Sequence, residues 1–367
     1  MTQKLSFSAI NTYTQCGRKY ELRYKKNLRG KYFHAALAFG SAIDSSLNEL
    51  LLTKDLSKAK LVFDKQWNFQ FINKKYTSLP SYTDIVYAEA DFDEELLTDA
   101  DKNDLHVTLL NLNVDGTYLE IYNNVLEEKK SKGWDNLTLE KRKFFNYTNW
   151  LSLRQKGYIM LESYNKKVMH QIEEVLAVQK ENYLQNSDGD KVVQYLDLIV
   201  RWKDGQSILF DNKTSARDYD MDSAARSPQL ISYYHGAKEE YGLNAIGFIV
   251  LKKNILKNRQ KICSICINDG SGGRHKTCDA TINGKRCNGK WNERIDPEAS
   301  IQIVINKVTD VAENLVLETF NEANDGIKKG NFYRNLSACQ NGPIICEYKN
   351  LCWKNDSSEI VDMSNEK

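Results

Sequence analysis

No apolar run in the 367 residues approaches the roughly 18–20 needed to cross a bilayer, so no membrane-spanning helix is expected. The opening residues Met1-Thr2-Gln3-Lys4-Leu5-Ser6 lack the apolar core of a signal peptide, and the expectation is a cytoplasmic protein without a membrane partner. The sequence also lacks a strong charge of either sign, since 51 Lys and Arg stand against 49 Asp and Glu for a formal net charge of +2. That balance does not advertise nucleic-acid binding. It does not exclude it either, because the distribution of charge matters more than its sum. What is present, 41% hydrophobic and 27% charged residues, is ordinary for a soluble globular chain. The length suits one large domain with insertions or two modest ones.

Two basic stretches stand out locally. One holds Arg18, Lys19, Arg23, Lys25, Lys26, Arg29 and Lys31, interleaved with Tyr20, Tyr24, Tyr32 and Phe33. Cations for phosphates and rings for bases suit a single-stranded nucleic acid, with Arg18, Lys19, Tyr20 and Tyr24 as candidate contacts. The other holds Lys252, Lys253, Lys257, Arg259 and Lys261. Either run reads equally as a solvated face. The eight cysteines fall by position into two sets of four, and in a cytosolic protein such a count favours metal ligation over disulfides.

The most informative stretch runs from Gln194 to Thr214. Two apolar, β-prone runs flank Asp204-Gly205, a strong hairpin signal, because glycine takes the positive φ such turns demand. Asp197, Asp211 and Lys213 interrupt these strands, and a charge in a buried strand is costly unless paired or metal-bound. Asp211 and Lys213 are two apart and project from one face. An odd number of loop residues puts Asp197 opposite Asp211 on that face. Two carboxylates and an ammonium then converge, a set suited to Mg²⁺ or Mn²⁺ and to phosphoryl chemistry. The bland reading is a hairpin whose acids face solvent beside a salt-bridged lysine.

Asp197, a hairpin, and then Asp211-Asn212-Lys213-Thr214 resemble the second and third motifs of the PD-(D/E)XK nucleases. The similarity is greatest to the RecB-type branch, with the CRISPR-associated RecB-like exonucleases and the AddB nuclease domain. Gln229-Leu230-Ile231-Ser232-Tyr233 matches that branch's Q-x-x-x-Y helix motif, and positions i and i+4 share a helix face. The resemblance implies catalytic roles for Asp197, Asp211, Lys213, Gln229 and Tyr233. It extends to Leu5-Ser6-Phe7-Ser8-Ala9-Ile10 with Tyr13, Cys16, Arg18 and Tyr20, where Ser6 is a plausible N-cap for a helix over Phe7 to Arg18. In the family, G-x-x-x-H supplies a metal-binding histidine. Here the segment is Gly40-Ser41-Ala42-Ile43-Asp44, so Asp44 occupies that position as a third Mg²⁺ or Mn²⁺ ligand or as a plain helix-surface acid.

Residues 45 to about 185 read as mainly helical, with a solvated acidic run from Asp91 to Asp104 and a first core strand around Glu174 to Val178. Cys263-x₂-Cys266-x₁₁-Cys278-x₈-Cys287, among Gly270, Gly272, Gly273, Gly284 and Gly289, reads as a zinc-ribbon-like insertion, with His275 as an alternative ligand. Cys16, Cys339, Cys346 and Cys352 correspond to the one N-terminal and three C-terminal cysteines that hold a [4Fe–4S] cluster in the resembling proteins. Their first C-terminal gap is six residues where the family has two, so zinc or no metal stays open.

The fold expected is α/β (α+β), a central mixed sheet flanked by helices in a restriction-endonuclease-like core. It divides into core residues 1–45, a helical subdomain 46–170, core 171–261, the insertion 262–292, a C-terminal strand, helix and cysteine set 293–354, and a flexible tail 355–367. The function implied is a metal-dependent DNA nuclease, an exonuclease on single strands or duplex ends. It would work in recombination, repair, phage or defence processes beside helicase, recombination, CRISPR or phage protein partners. The alternative is a weakly active or inactive DNA-end-binding module of a larger complex. A pure zinc-ribbon adaptor leaves the Asp/Asp/Lys grouping unexplained.

Overall fold

The turn at Asp204-Gly205 joins two antiparallel strands, Lys191–Trp202 and Ser207–Ser215. Gly205 adopts φ +87°, and the Trp202 amide donates to the Gln206 carbonyl at 2.8 Å, which closes the ladder over a loop of residues 203–205. This computed structural model describes residues 5–77, 82–88, 91–112, 114–185, 189, 191–253, 259–266, 277–278, 280–282, 284–295, 300–339 and 346–364.

Among the described residues the central sheet has six strands. Ile172–Gln185 pairs antiparallel along the whole of Lys191–Trp202. On the other side that strand splits its partners. Its end near the turn pairs with Ser207–Ser215, and its start pairs in parallel with the short Leu5–Ser6. Ala245–Lys252 then runs parallel to Ser207–Ser215, and Ile301–Asn306 closes the edge antiparallel. The interior strands are apolar at consecutive positions because both faces are covered.

One face of the sheet, through Leu198, Val200, Ile208 and Phe210, packs on helices Ala35–Thr53, Leu56–Gln66 and Leu139–Lys167. The other, through Ile199, Leu209, Ile246 and Val250, packs on Phe7–Gln15, Pro228–Tyr241 and Asp310–Lys328. The result is a mixed sheet between helical layers, consistent with a restriction-endonuclease-like fold. Further helices, Asp99–Asn111 and Tyr118–Lys132, extend the first layer. Its hydrophobic cluster runs without a break from the sheet into the helical segment, which therefore shares its core with the sheet.

Four details depart from the sequence expectations. The first helix stops at Gln15 because Cys16 is extended, and the chain restarts in a short helix Gly17–Tyr20. The acidic run is not wholly solvated: Asp91 is buried, and Asp93 forms an ion pair with Lys156, a fully buried lysine that also donates to the Asp91 carbonyl at 3.0 Å. The helical segment ends at Lys167, and the strand expected around Glu174 to Val178 spans the fourteen residues Ile172–Gln185. The C-terminal tail is structured in part. Ile360–Asp362 pairs antiparallel with Leu28–Gly30, and Met363 is buried, because the tail carries apolar side chains that find a covered site.

Candidate active site

The ladder between the two hairpin strands ends at Leu198 facing Phe210. One step further in the same register, Asp197 stands opposite Asp211, where the strands begin to part. Asp211 is nearly inaccessible, with 1% of its side chain exposed, and its Oδ2 lies 2.6 Å from Lys213 Nζ. A second element completes the hold on this pair. Ser227 accepts from the Leu230 amide at 3.3 Å and Pro228 takes the first helical turn, which starts helix Pro228–Tyr241 beside the strand. From its first turn Gln229 Nε2 donates to Asp211 Oδ1 at 3.2 Å, and its Oε1 accepts from Lys213 Nζ at 3.5 Å. Tyr233 OH, one turn on, lies 3.2 Å from Gln229 Nε2.

Asp44 comes from the opposite layer, on helix Ala35–Thr53, which buries Phe39, Ala42, Ile43 and Leu47 to anchor that face. Gln179, in the strand beside Asp197, links the acids. Its Nε2 donates to Asp44 Oδ2 at 3.1 Å and Oδ1 at 3.4 Å, and to Asp197 Oδ1 at 3.5 Å. Gln179 is absent from the sequence reading. Its position is legible only once the register of the long strand against Asp197 is known.

The electrostatics follow from three carboxylates and one ammonium gathered away from water. Burial, then the charge of Asp211, pushes Asp197 up to about 8. Burial, then Asp211, raises Asp44 to about 6, with Lys213 opposing. For Lys213 burial works downward, but the charge and hydrogen bond of Asp211, with Asp197 and Tyr219 adding, together carry the net direction up, so the lysine keeps its proton. Asp44, Asp197 and Asp211 do not bring three ligand oxygens within 4.8 Å of one another, but their donor chemistry, all oxygen with excess negative charge, is that of a site for a hard divalent cation such as Mg²⁺ or Mn²⁺.

Cys263, Cys266, Cys278 and Cys287 are, among the described residues, the only group of three or more metal-capable side chains whose ligand atoms all lie within 4.8 Å of one another. Strands Arg259–Cys263 and Trp291–Ile295 pair antiparallel, and the small hairpin Thr281–Ile282 with Lys285–Arg286 brings Cys278 and Cys287 back without a second close pair. The Ile265 amide donates to Cys263 Sγ at 3.4 Å; burial works to raise the Cys263 thiol, but backbone bonds from Cys266 and Ile265 and the side chains of Cys266 and Cys287 together hold it low, at about 6. Tetrahedral coordination with Zn–S of about 2.3 Å spaces sulfurs about 3.8 Å apart. The Cys263–Cys287 and Cys266–Cys278 sulfurs are each 3.5 Å apart. This set fits a metal and a zinc-ribbon-like insertion. His275 and Gly270, Gly272 and Gly273 lie outside the described residues, as does Lys257.

Cys16, Cys339, Cys346 and Cys352 gather at the junction of the chain ends without closing to that spacing. Burial raises the Cys352 thiol, with Cys339 and Cys16 adding to it and Arg18 and Arg334 opposing. Burial likewise raises Cys346, with Cys339 and Cys352 adding and Lys19 opposing. The Asn335 amide donates to Cys16 Sγ at 3.5 Å. The junction is also tied directly: Tyr13 OH donates to the Asn331 carbonyl at 2.6 Å, Arg23 pairs with Glu347 at 2.8 Å, and Tyr348 OH donates to the Leu28 carbonyl at 2.7 Å.

Several cations of the first basic stretch are taken up by ion pairs, of which Arg23 to Glu347 belongs to that junction. Arg18 pairs with Glu21, Lys26 lies 3.3 Å from the same carboxylate, and Lys31 pairs with Asp135 at 2.7 Å. Tyr20 corrects the sequence expectation: it is fully buried between Tyr24 and Phe332, so it has no face to offer a base. Tyr24, half-buried, leans on it. In the second stretch Lys252 pairs with Asp218 at 2.9 Å, and Lys253 is packed over the Phe39 ring.

Residues 4–89, a span that contains Cys16 and Asp44 but not the hairpin, match the family model of the PD-(D/E)XK nuclease superfamily. No curated protein matches the chain. Solved structures that match include a crystal structure of SSO0001, 14% identical, with a TM-score of 0.27, covering 68% of this chain and 94% of that one. No helix among the described residues is long and apolar enough to cross a membrane. The superfamily match supports, in general terms, a metal-dependent nuclease with a nucleic-acid substrate.

Proposed function

We propose that this protein is a DNA nuclease of the RecB-type branch, an exonuclease acting on single strands or duplex ends. One observation carries the reading: Asp211 is held at once by Lys213 and Gln229, facing Asp197 where two strands part. Asp44, Asp197 and Asp211 would hold Mg²⁺ or Mn²⁺, and the ion would supply Lewis acidity toward a phosphodiester and ease the ionisation of water. The chain's own groups do the rest. Lys213, protonated beside Asp211, orients a water and offsets charge growing on the phosphate. Gln229 keeps Lys213 and Asp211 in fixed relation, and Tyr233 keeps Gln229 turned toward them. Cys16, Cys339, Cys346 and Cys352 would hold an iron–sulfur cluster, and Cys263, Cys266, Cys278 and Cys287 would hold zinc.

The test is cleavage of end-labelled DNA by the purified protein with and without Asp211→Ala and Lys213→Ala, the fold checked by circular dichroism. Both variants are expected to stay folded and lose cleavage. Full activity in both removes the reading. DNA binding without cleavage in the unaltered protein favours an end-binding module, which the aspartate at position 44 in place of histidine would suit.

A further inference from the structure

Gln179 has two unusual properties, and they coincide. Five non-glycine residues among those described have positive φ, and four sit at helix ends or in loops: Asn27, Lys54, Asn288 and Asn355. Gln179, at φ +48°, is inside a strand. A glutamine in the left-handed region of a strand is held there against its own preference, and such residues cluster at functional sites. The strand is irregular just before it, with register shifts between Ile172 and Glu174 and between Val175 and Ala177. Between the pairs Val178–Leu198 and Lys180–Leu196, Gln179 is the residue that faces Asp197. Its side chain is exposed, so burial does not fix it. Instead its amide spans two acids from different elements, Asp44 on helix Ala35–Thr53 and Asp197 on the neighbouring strand.

We propose that Gln179 is a further member of the metal centre, donating Nε2 to Asp44 and Asp197 while the ion is absent and turning its carboxamide to offer Oε1 when the ion enters. This rests on the nuclease reading of the same site. A carboxamide presents a donor on one side and an acceptor on the other, and rotation of its last torsion exchanges them at no cost in bonding capacity. The acceptor is a hard, neutral oxygen of the kind Mg²⁺ and Mn²⁺ accept. Its place opposite Asp197 adds a ligand from a strand that contributes no carboxylate to the cluster.

The experiment is Mn²⁺ titration of the full chain, followed by the electron paramagnetic resonance of free Mn²⁺, for the unaltered protein and for Asp211→Ala, Gln179→Ala, Gln179→Gly and Gln179→Glu. The site is identified as the Mn²⁺ lost in Asp211→Ala. Gln179→Ala is expected to weaken it by about tenfold. Gln179→Gly should weaken it equally although glycine accepts this φ freely, which separates the amide from the backbone. Gln179→Glu should restore the affinity. Mn²⁺ binding by Gln179→Ala equal to the unaltered protein's overturns the proposal and leaves the nuclease reading standing. Absence of any Mn²⁺ site that depends on Asp211 overturns both.

Discussion

Gln229 joins the two charged groups of the Asp211 strand: its Oε1 accepts from Lys213 Nζ at 3.5 Å while its Nε2 donates to Asp211 Oδ1 at 3.2 Å. Removing it leaves the buried Asp211 carboxylate and the half-buried Lys213 ammonium free to rotate about each other. Gln229→Ala is expected to lower kcat about 10- to 100-fold with little change in melting temperature, as for other groups that orient metal ligands. Gln229→Glu, which adds a repelling charge beside Asp211, should do no better. The check is a steady-state cleavage assay beside thermal melting. An unchanged kcat in Gln229→Ala would show that Lys213 and Asp211 hold their places unaided.

The acids make the protein sensitive to pH in a stated direction. Asp197 is raised to about 8 and Asp44 to about 6, in each case by burial first and Asp211 second. In the unfolded chain both ionise near pH 4. Between those limits the folded state binds more protons than the unfolded one, so the metal-free protein loses stability as pH rises from about 4 toward about 8. Without Mg²⁺ or Mn²⁺ the melting temperature should therefore fall between pH 6 and 8. Asp197→Asn, which fixes the neutral form, should flatten that fall. Added Mn²⁺ should stabilise more at pH 8 than at pH 6, because the ion competes with protons for the same oxygens. An equally steep fall in Asp197→Asn would contradict this origin.

Gly289 has no room for a side chain. A Cβ there would stand 2.3 Å from Cys263 Sγ. Gly289→Ala should displace that sulfur and abolish tight metal binding by Cys263, Cys266, Cys278 and Cys287. Elemental analysis should show one equivalent less metal, with the cooperative melting of the sheet retained. Full metal content in the alanine variant would mean the four thiols are not the ligands.

Lys156 is a buried ammonium received by Asp93 and the Asp91 carbonyl. Lys156→Ala leaves a cavity and a carboxylate without its cation, and should cost about 3 kcal/mol in a denaturant titration. A loss under about 1 kcal/mol would place the pair in the class of solvent-screened ion pairs.

Much of this was legible before any coordinates, for local reasons. Asp204-Gly205 is a turn by backbone chemistry alone, and the alternation of strand side chains sets Asp211 and Lys213 on one face. The odd loop over residues 203–205 then brings Asp197 opposite. Gln229 and Tyr233 share a helix face by the i, i+4 rule. What escaped depends on partners distant in sequence. The run from Arg18 to Lys31 looks like a nucleic-acid surface until Glu21, Asp135 and Glu347 claim its cations, and Tyr20 looks available until Phe332, more than three hundred residues later, covers it. Asp91 and Asp93 look solvated until Lys156 arrives from the long helix. Gln179 belongs to no motif. It becomes visible only through a strand register and a backbone angle.

The most direct measurement is the dependence of DNA cleavage on divalent metal. Purified protein is incubated with 5′- and 3′-labelled single-stranded and blunt duplex DNA across a titration of Mg²⁺ and Mn²⁺, with Asp197→Asn and Asp211→Asn as controls. Cleavage is expected to proceed from an end, to appear only with the ion and to be lost in both variants. Cleavage that persists in both variants, or no cleavage under any metal with the folded protein, would contradict the nuclease reading.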